Sequence, residues 1–396
     1  MKKIVSRVRQ ILTHFIFRLW RTKRPLCNSS WYLKPIVAVF YCAELIYRSL
    51  FFLVNGYKCR HGGRQTPFTV IAVGNIGVGG SGKSVVVPFL VSFLGPESCA
   101  VMLRGYRGSV EKESKSYLLT QDGVFSLDKK ILLEKKVTDF PSFFGDEATM
   151  FFDTLSCPIV VGKNRVRSVD LVEVYASQKS PIKYLILDDA YQNHHVAKSF
   201  EILLLDAHLP FGNGHCLPLG PLREKDISRA DCIILTHADH ISHEELHKTK
   251  NMLGGLFAYN RIFSGKHVPA GIFENNAVLI SPDALEAKKM LLVSGVGSFD
   301  GVVATAQEAG IVVTLKHQLD DHHMYTVEDI DYVYSLVLKH GLDGIVTTAK
   351  DWVKLAPLLK AYNKGFFVKW FVLRVSFSFL TSQDHESFVR LLRYNR

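Results

Sequence analysis

Acidic residues are absent from the first 34 positions of this 396-residue chain. The same stretch carries Lys2, Lys3, Arg7, Arg9, Arg18, Arg21, Lys23, Arg24 and Lys34, a charge pattern suited to an anionic surface. Cysteine is scarce. The seven cysteines stand singly at 27, 42, 59, 99, 157, 216 and 232. Without a CxxC pair there is no zinc ribbon, and an odd count argues against a complete disulfide framework and suits a reducing compartment. No internal repeat and no low-complexity tract occurs, which excludes a solenoid or a long disordered arm. No small-residue cleavage site follows the early apolar stretches, so a removed signal peptide is a poor reading. A clean membrane-spanning run is missing as well. Residues 35–54 are nearly long enough, but Glu44 and Arg48 interrupt them four apart on one helical face. Two charges near the centre make a free span costly. An amphipathic helix lying in the membrane surface accounts for both the apolar length and the charges. A true span and an ordinary helix packed on the protein core stay open.

What is present is enough for two hydrophobic cores: 47% of the chain is hydrophobic. The formal net charge of +11 favours anionic partners such as lipid, phosphorylated small molecules or nucleic acid. Short apolar strands alternate with helical stretches over most of the sequence, which implies mostly parallel sheet covered on both faces. Strands are expected at 68–73, 99–103, 159–161, 184–187 and 201–205, and a later series at 232–235, 289–294, 311–315 and 344–346. Helices are expected at 85–93, 147–154, 168–177, 300–309, 327–340 and 352–361. Residues 111–136 read as a hairpin with an exposed excursion. Residues 208–228 are rich in Gly and Pro and read as a linker. The expected division is 1–55 as a basic segment with a membrane-associated helix, 56–228 as one α/β domain, and 229–396 as a second. The tail from about 366 is aromatic and basic and carries no clear instruction.

Residues 68–84 read FTVIAVGNIGVGGSGKS. Gly77, four residues, Gly82, Lys83 and Ser84 complete a phosphate-cradling loop between a strand and a helix. Glycines let the loop turn tightly and bring amide N–H groups against phosphate oxygens. The following helix points its positive end at the same place. Gly77, Val78, Gly79, Gly80, Ser81, Gly82, Lys83 and Ser84 are therefore the expected nucleotide-binding residues. Lys83 would reach the β- and γ-phosphates of ATP, and Ser84 would ligate magnesium. A dinucleotide-binding loop fits less well, because it lacks the Lys-Ser ending.

Residues 184–189 read YLILDD. An apolar strand that ends in carboxylates is the usual magnesium-side partner of such a loop. Asp188 and Asp189 are accordingly the expected metal-side residues, with Ser84. Phosphoryl transfer to an alcohol also needs a base near the hydroxyl and positive charge around the moving group. Clusters at 104–107, 145–147, 165–167, 192–195, 223–225, 320–323 and 347–351 offer both. The adjacent pairs His194-His195 and His322-His323 lack the spacing that puts two metal ligands on one helix face.

Taken together these segments resemble the tetraacyldisaccharide 4'-kinase family of lipid A biosynthesis. The resemblance rests on AVGNIGVGGSGKS at 72–84, LRGYRG at 103–108, FGDE at 144–147, LDDAYQNHH at 187–195, LLLDA at 203–207, GNGHCLPLGPLRE at 212–224, DHHMY at 321–325 and TTAKDWVKL at 347–355. It implies a P-loop NTPase-like domain with a parallel sheet, a second smaller α/β/α domain, and an active site between them. It further implies magnesium-dependent transfer of the γ-phosphate of ATP to the 4'-hydroxyl of a tetraacylated glucosamine disaccharide 1-phosphate, on the cytoplasmic face of the inner membrane, by a peripheral or monotopic protein. By resemblance, Asp146 is the catalytic base and His322 its partner, with Lys83 on the phosphates. Arg104, Arg165 and Arg223 are weaker candidates for anionic contacts. Leu103, Arg107, Ala190, Asn193 and Ala349 depart from the family's usual residues, and none of them is one of the proposed catalytic groups.

Two other classes remain as alternatives. A membrane-associated P-loop ATPase would use the same loop without a lipid acceptor. A nucleic-acid-binding protein is suggested only by net charge, and the chain carries no recognisable binding module; no nucleic-acid partner and no protein partner is expected.

Overall fold

The computed structural model describes residues 20, 34–60, 62–128, 131–134, 136–137, 139–179, 181–321, 323–362 and 368–394. His322 lies outside the described residues, as do most of residues 1–33.

The first long element is helix α1 (Lys34–Arg60), longer at both ends than the apolar run that predicts it. The chain then enters strand β1 (Thr69–Gly74), crosses the glycine loop and continues as α2 (Lys83–Leu94). Next come β2 (Cys99–Leu103), the antiparallel strands β3 (Tyr117–Thr120), β4 (Gly123–Asp128) and β5 (Ile131–Glu134), and the helices α3 (Phe140–Phe144) and α4 (Asp146–Thr154). The expected hairpin at 111–136 is thus a three-stranded meander on the sheet edge. Strand β6 (Ile159–Val161), α5 (Arg165–Gln178), β7 (Tyr184–Asp188), β8 (Phe200–Asp206) and β9 (Cys232–Thr236) complete this sheet.

β1 lies between β7 and β8, parallel to both. Alternation along β1 sends Ile71 and Val73 to one hydrophobic core and Val70 and Ala72 to the other, as a period of two residues requires. A strand buried on both faces reads as a continuous apolar run, and that is why the sequence signal is strong here. The C-terminal ends of β1, β7, β8 and β9 therefore open at one edge, where open α/β sheets bind ligands.

After α6 (His243–Gly254) the chain forms β10 (Ile262–Glu274), which carries a short partner strand β11 (Val278–Ile280). The second sheet follows: β12 (Lys289–Ser294), α7 (Phe299–Glu308), β13 (Val312–Gln318), α8 (Val327–His340), β14 (Gly344–Thr348), α9 (Ala349–Ala361) and β15 (Trp370–Phe379). β12, β13, β14 and β15 pair in parallel, in the order β13-β12-β14-β15. The two halves meet along β10. Its first residues run parallel to β9, and the rest runs antiparallel to β15 with a bulge between Pro269 and Gly271. Proline has no N–H for the ladder, and Gly271 takes a φ of 135° there.

The expected boundary at 228/229 falls between β8 and β9, yet these strands pair from Ile202↔Cys232 to Asp206↔Thr236. We infer that the boundary lies instead within β10, where pairing switches from one sheet to the other. The tail then returns to the first domain. Helix α10 (Ser382–Tyr394) inserts Phe388 and Leu392 into the core beneath α2, where the Phe89, Phe377, Phe379 and Phe388 rings make mutual contacts. The aromatic composition of the tail is explained by this return.

Candidate active site

The glycine loop joins β1 to α2, with Gly82 at the helix N-cap and Lys83 and Ser84 opening α2, as the spacing predicts. Two of the neighbouring glycines are forced by close approach. A Cβ on Gly74 would stand 2.6 Å from the Tyr191 backbone nitrogen. Gly82 has a φ of 80°, and a Cβ there would lie 3.1 Å from both His267 Nε2 and a Thr236 methyl. Val78, Gly79 and Gly80 are exposed and Ser81 is buried, so the loop presents its crest to solvent. Lys83 Nζ donates to Ser81 Oγ at 3.3 Å and lies 3.5 Å from Asp189 Oδ1. Ser84 sits in the first turn of α2, half-buried.

The paired aspartates divide their work. Asp189 follows the end of β7 with a φ of 47°, a left-handed conformation that aspartate tolerates better than most residues. Its two oxygens each accept from one Arg223 nitrogen at 3.2 Å. Burial works against the Asp189 charge, but Lys83 and Arg223 outweigh it and hold the carboxyl below the usual carboxylate range. Asp188 is buried, and its Oδ1 has no hydrogen-bond partner among the described residues. Burial pushes its pKa well up, and the nearby Glu147 pushes it further, against the pull of Lys83. Arg165 donates to the Asp188 backbone carbonyl at 2.9 Å. Burial brings the Arg165 guanidinium down to about 10, against the pull of Asp188 and Asp189.

The FGDE segment comes to the same place. Asp146 opens α4, is buried, and accepts from the Glu147 backbone N–H at 2.9 Å. Glu147 carries a raised pKa caused first by burial, against Lys83 and Lys350 and with Asp146 and Asp189 adding to the rise. Lys350 belongs to the second domain, and α9 packs on α4. The two domains thus meet where the phosphate loop opens. Glu147 is a member of the site that its motif quotes without giving it a role. The signal was its position beside Asp146, but only the fold shows that its charge reaches Asp188.

Asp188 with an orphaned buried oxygen, Glu147 beside it and the Ser84 hydroxyl suit a small divalent cation. Among the described residues no group of three His, Cys, Asp or Glu side chains gathers as a metal cage. Few protein ligands are what magnesium takes when it rides on substrate phosphates.

The DHH segment is held by scaffold on either side of His322. His323 N–H donates to Asp320 O at 3.0 Å, its Nε2 lies 2.9 Å from Asp329, and Lys354 donates to its carbonyl at 3.0 Å. Asp321 pairs with Lys350 at 3.3 Å. Asp351 of the TTAKD segment is fully buried. It accepts from Ser294 Oγ at 2.7 Å, Gly295 N at 3.2 Å and Thr348 Oγ1 at 2.8 Å. Its part is to fix the turn after β12, so this motif is largely scaffold around Lys350.

Of the other arginine candidates, Arg223 is at the site and also donates to Gln192 Oε1 at 3.1 Å. Gln192 in turn donates to Asn75 O at 2.8 Å and Glu224 at 2.9 Å. Arg104 pairs with Glu111 at 2.8 Å.

A histidine group that sequence reading missed stands behind Gly82. His237 lies 3.0 Å from Asp206 and packs on His240 and His267, with ring centroids 5.5 and 4.5 Å away. The His267 Nε2 atom is buried without a partner among the described residues. Burial, then His237 and His240, bring the His267 imidazole down to about 3. Only the polar ending of the β9 run hinted at this group, and His267 gives no signal at all inside its strand.

The model for Tetraacyldisaccharide-1-P 4'-kinase (LpxK) matches residues 30–393. The chain belongs to this family. A tetraacyldisaccharide 4'-kinase of Desulfatibacillum aliphaticivorans is 31% identical over 340 residues, covering 82% of this chain and 84% of that one. The Halothermothrix orenii kinase is 28% identical over 369 residues, covering 89% and 91%. A probable mitochondrial tetraacyldisaccharide 4'-kinase of Arabidopsis thaliana is 28% identical over 320 residues, covering 76% and 75%. The crystal structure of LpxK from Aquifex aeolicus in complex with ATP superposes with a TM-score of 0.65 at 21% identity, covering 91% of this chain and 99% of that one. That likeness establishes the shared two-domain architecture. Every family segment quoted above from 72 to 355 falls inside the matched region.

Proposed function

We propose that the chain is an ATP-dependent kinase that phosphorylates the 4'-hydroxyl of a tetraacylated glucosamine disaccharide 1-phosphate. The observation that carries this reading is the meeting of donor and acceptor groups at one mouth. Helix α9, which carries Lys350 of the second domain, packs on α4, which carries Asp146 and Glu147, and the charges of Lys83 and Asp189, themselves 3.5 Å apart, act on Glu147 together with that of Lys350. In this reading residues 77–84 hold the triphosphate, with Lys83 against the β- and γ-phosphates. Ser84 and Asp188 would hold magnesium, which would supply neutralising charge for the phosphate oxygens. Asp146 accepts the proton of the 4'-hydroxyl as its oxygen bonds to the γ-phosphorus. The bond from that phosphorus to the β-phosphate oxygen breaks, and ADP leaves. His322 is assigned by resemblance to orient Asp146. Packing of α9 on α4 closes the mouth and keeps water from competing with the hydroxyl.

The lipid surface belongs to the same proposal. Among the described residues one helix, α1, carries a stretch, Val37–Gly56, long and apolar enough to cross a membrane. Val39, Leu45, Ile46, Leu50, Phe52, Leu53 and Val54 are exposed, while Glu44 is buried against the protein. A helix with one side fastened to the domain and the other apolar and open suits embedding in the inner membrane's cytoplasmic surface better than a free span. Its basic flank favours that leaflet.

The test is transfer of labelled γ-phosphate from ATP to an acylated disaccharide 1-phosphate in mixed micelles. Labelled lipid carrying phosphate at the 4' position is expected. Hydrolysis of ATP with no labelled lipid would favour the ATPase without a lipid acceptor.

A further inference from the structure

Glu44 sits in the middle of an apolar helix and is 1% exposed. Its carboxylate accepts from the Cys216 N–H at 2.7 Å and lies 2.8 Å from His215 Nδ1. Three residues on, Tyr47 donates its hydroxyl to the Arg223 carbonyl at 3.0 Å. Trp20, in the basic segment, donates its ring N–H to the Pro218 carbonyl at 3.1 Å. The N-terminal region thus grips both arms of the segment 215–223.

The far side of that segment is bonded to the phosphate loop. Val78 N–H donates to Pro221 O at 2.8 Å, and Arg223 N–H donates to Ile76 O at 2.7 Å. Leu217 N–H donates to Leu222 O at 2.8 Å and ties the two arms together. The Arg223 side chain then reaches Asp189, which lies 3.5 Å from Lys83. An unbroken chain of polar contacts therefore runs from α1 to the lysine of the phosphate loop.

A helix that served only as an anchor would gain nothing from a buried carboxylate, because removing a charge from water is costly unless it is paired. The pairing here is with the segment that lines the nucleotide site, and both side chains point away from the exposed apolar face. We propose that Glu44 and Tyr47 are positioning residues: α1, seated on a lipid surface, fixes segment 215–223 and through it the phosphate loop and Arg223. The lipid half of this rests on the surface-embedded reading above.

Three variants of the full chain test it: Tyr47→Phe, Glu44→Gln and, on the open face, Phe52→Ser. Each is measured for cosedimentation with phosphatidylglycerol vesicles, for affinity toward a fluorescent ATP analogue with magnesium, and for its melting transition. Tyr47→Phe removes one hydrogen bond, so nucleotide affinity is expected to fall about three- to tenfold, with vesicle binding unchanged and the protein folded at the assay temperature. Glu44→Gln keeps one acceptor oxygen and is expected to weaken affinity in the same direction, and it supplies the same reading should Tyr47→Phe fail to fold. Phe52→Ser is expected to weaken vesicle binding. If the parent chain ignores vesicles while Tyr47→Phe still loses nucleotide, the surface-embedded reading fails and the positioning role stands. Nucleotide affinity equal to the parent's in both Tyr47→Phe and Glu44→Gln overturns the proposal. A loss that merely follows partial unfolding at the assay temperature overturns it too. None of these measurements needs the lipid acceptor, so failure of the kinase reading would register separately.

Discussion

One nitrogen of the Arg223 guanidinium lies 3.2 Å from both carboxylate oxygens of Asp189. Lys83 approaches the first of these oxygens at 3.5 Å. The two cations and one carboxylate form a set that orders the phosphate loop before any nucleotide arrives, which lowers the ordering cost of binding. Replacing Arg223 by Met removes one cation and leaves Lys83 as the sole partner of Asp189 in the set. The Michaelis constant for ATP is expected to rise about tenfold. Steady-state kinetics at saturating acceptor measures this, and an unchanged constant would refute the role.

In the proposed mechanism Asp146 serves the acceptor hydroxyl, so Asp146→Asn should separate chemistry from binding. Transfer is expected to fall by about two to four orders of magnitude, with nucleotide affinity close to that of the parent chain. Single-turnover transfer and nucleotide titration on the same preparation decide the matter. Equal losses in both would remove Asp146 from the base role.

Glu147 and Asp188 are neighbouring acids whose pKa values are both raised, first by burial. A carboxyl whose folded pKa lies above its unfolded value of 4.5 costs stability above that pH, and the cost is complete above the folded pKa. Glu147→Gln should therefore stabilise the metal-free protein at neutral pH by about 1 kcal/mol and give no gain below pH ~4. The same change should raise the magnesium concentration needed for half-maximal transfer. Urea unfolding at pH 7 and at pH 4 tests the first statement. A destabilised Glu147→Gln at neutral pH would contradict it.

The His267 imidazole, brought down to about 3 by burial and by His237 and His240, stays neutral at mild acidity while an unfolded histidine takes a proton near 6.5. Between those values the unfolded chain binds more protons, so stability drops as the pH falls from about 6.5 toward 3. Over the range from pH 6.5 to 4 this amounts to about 3 kcal/mol at most. His267→Gln should flatten that limb of the stability curve. Melting temperatures of both proteins across this range provide the check, and parallel curves would count against it.

How much of this was legible in the sequence depended on how far apart the interacting residues stand. The phosphate loop was legible because its glycines, Lys83, Ser84, strand and helix are consecutive, and a contiguous segment fixes its own geometry. β1 and β7 were legible because strands buried on both faces read as unbroken apolar runs. The ordered family segments extended that reading to Asp146 and to the two-domain fold, although not to the described position of His322. The Gly/Pro-rich stretch before β9 reads as a linker from its composition, yet β8 and β9 on either side of it pair directly, a contact that composition does not announce. The tail carried no periodic signal that could announce its return to the core around Phe89.

Residue order alone specifies which chemical groups are present: a phosphate-cradling loop, strand-end carboxylates and an apolar helix beside a basic flank. Which of those groups act on one another is settled by the fold. Asp188 and Asp189 are adjacent and identical as residues, yet one is a buried acid with an orphaned oxygen and the other a salt-bridged anion, because a turn through positive φ sends them into different surroundings. Glu44 looked like an interruption of an apolar run until its partners, 171 and 172 residues away, were in place. Charge and hydrogen bonding act through space over a few ångströms, so contacts between residues so far apart in the chain are settled by the fold and leave no mark in local sequence pattern.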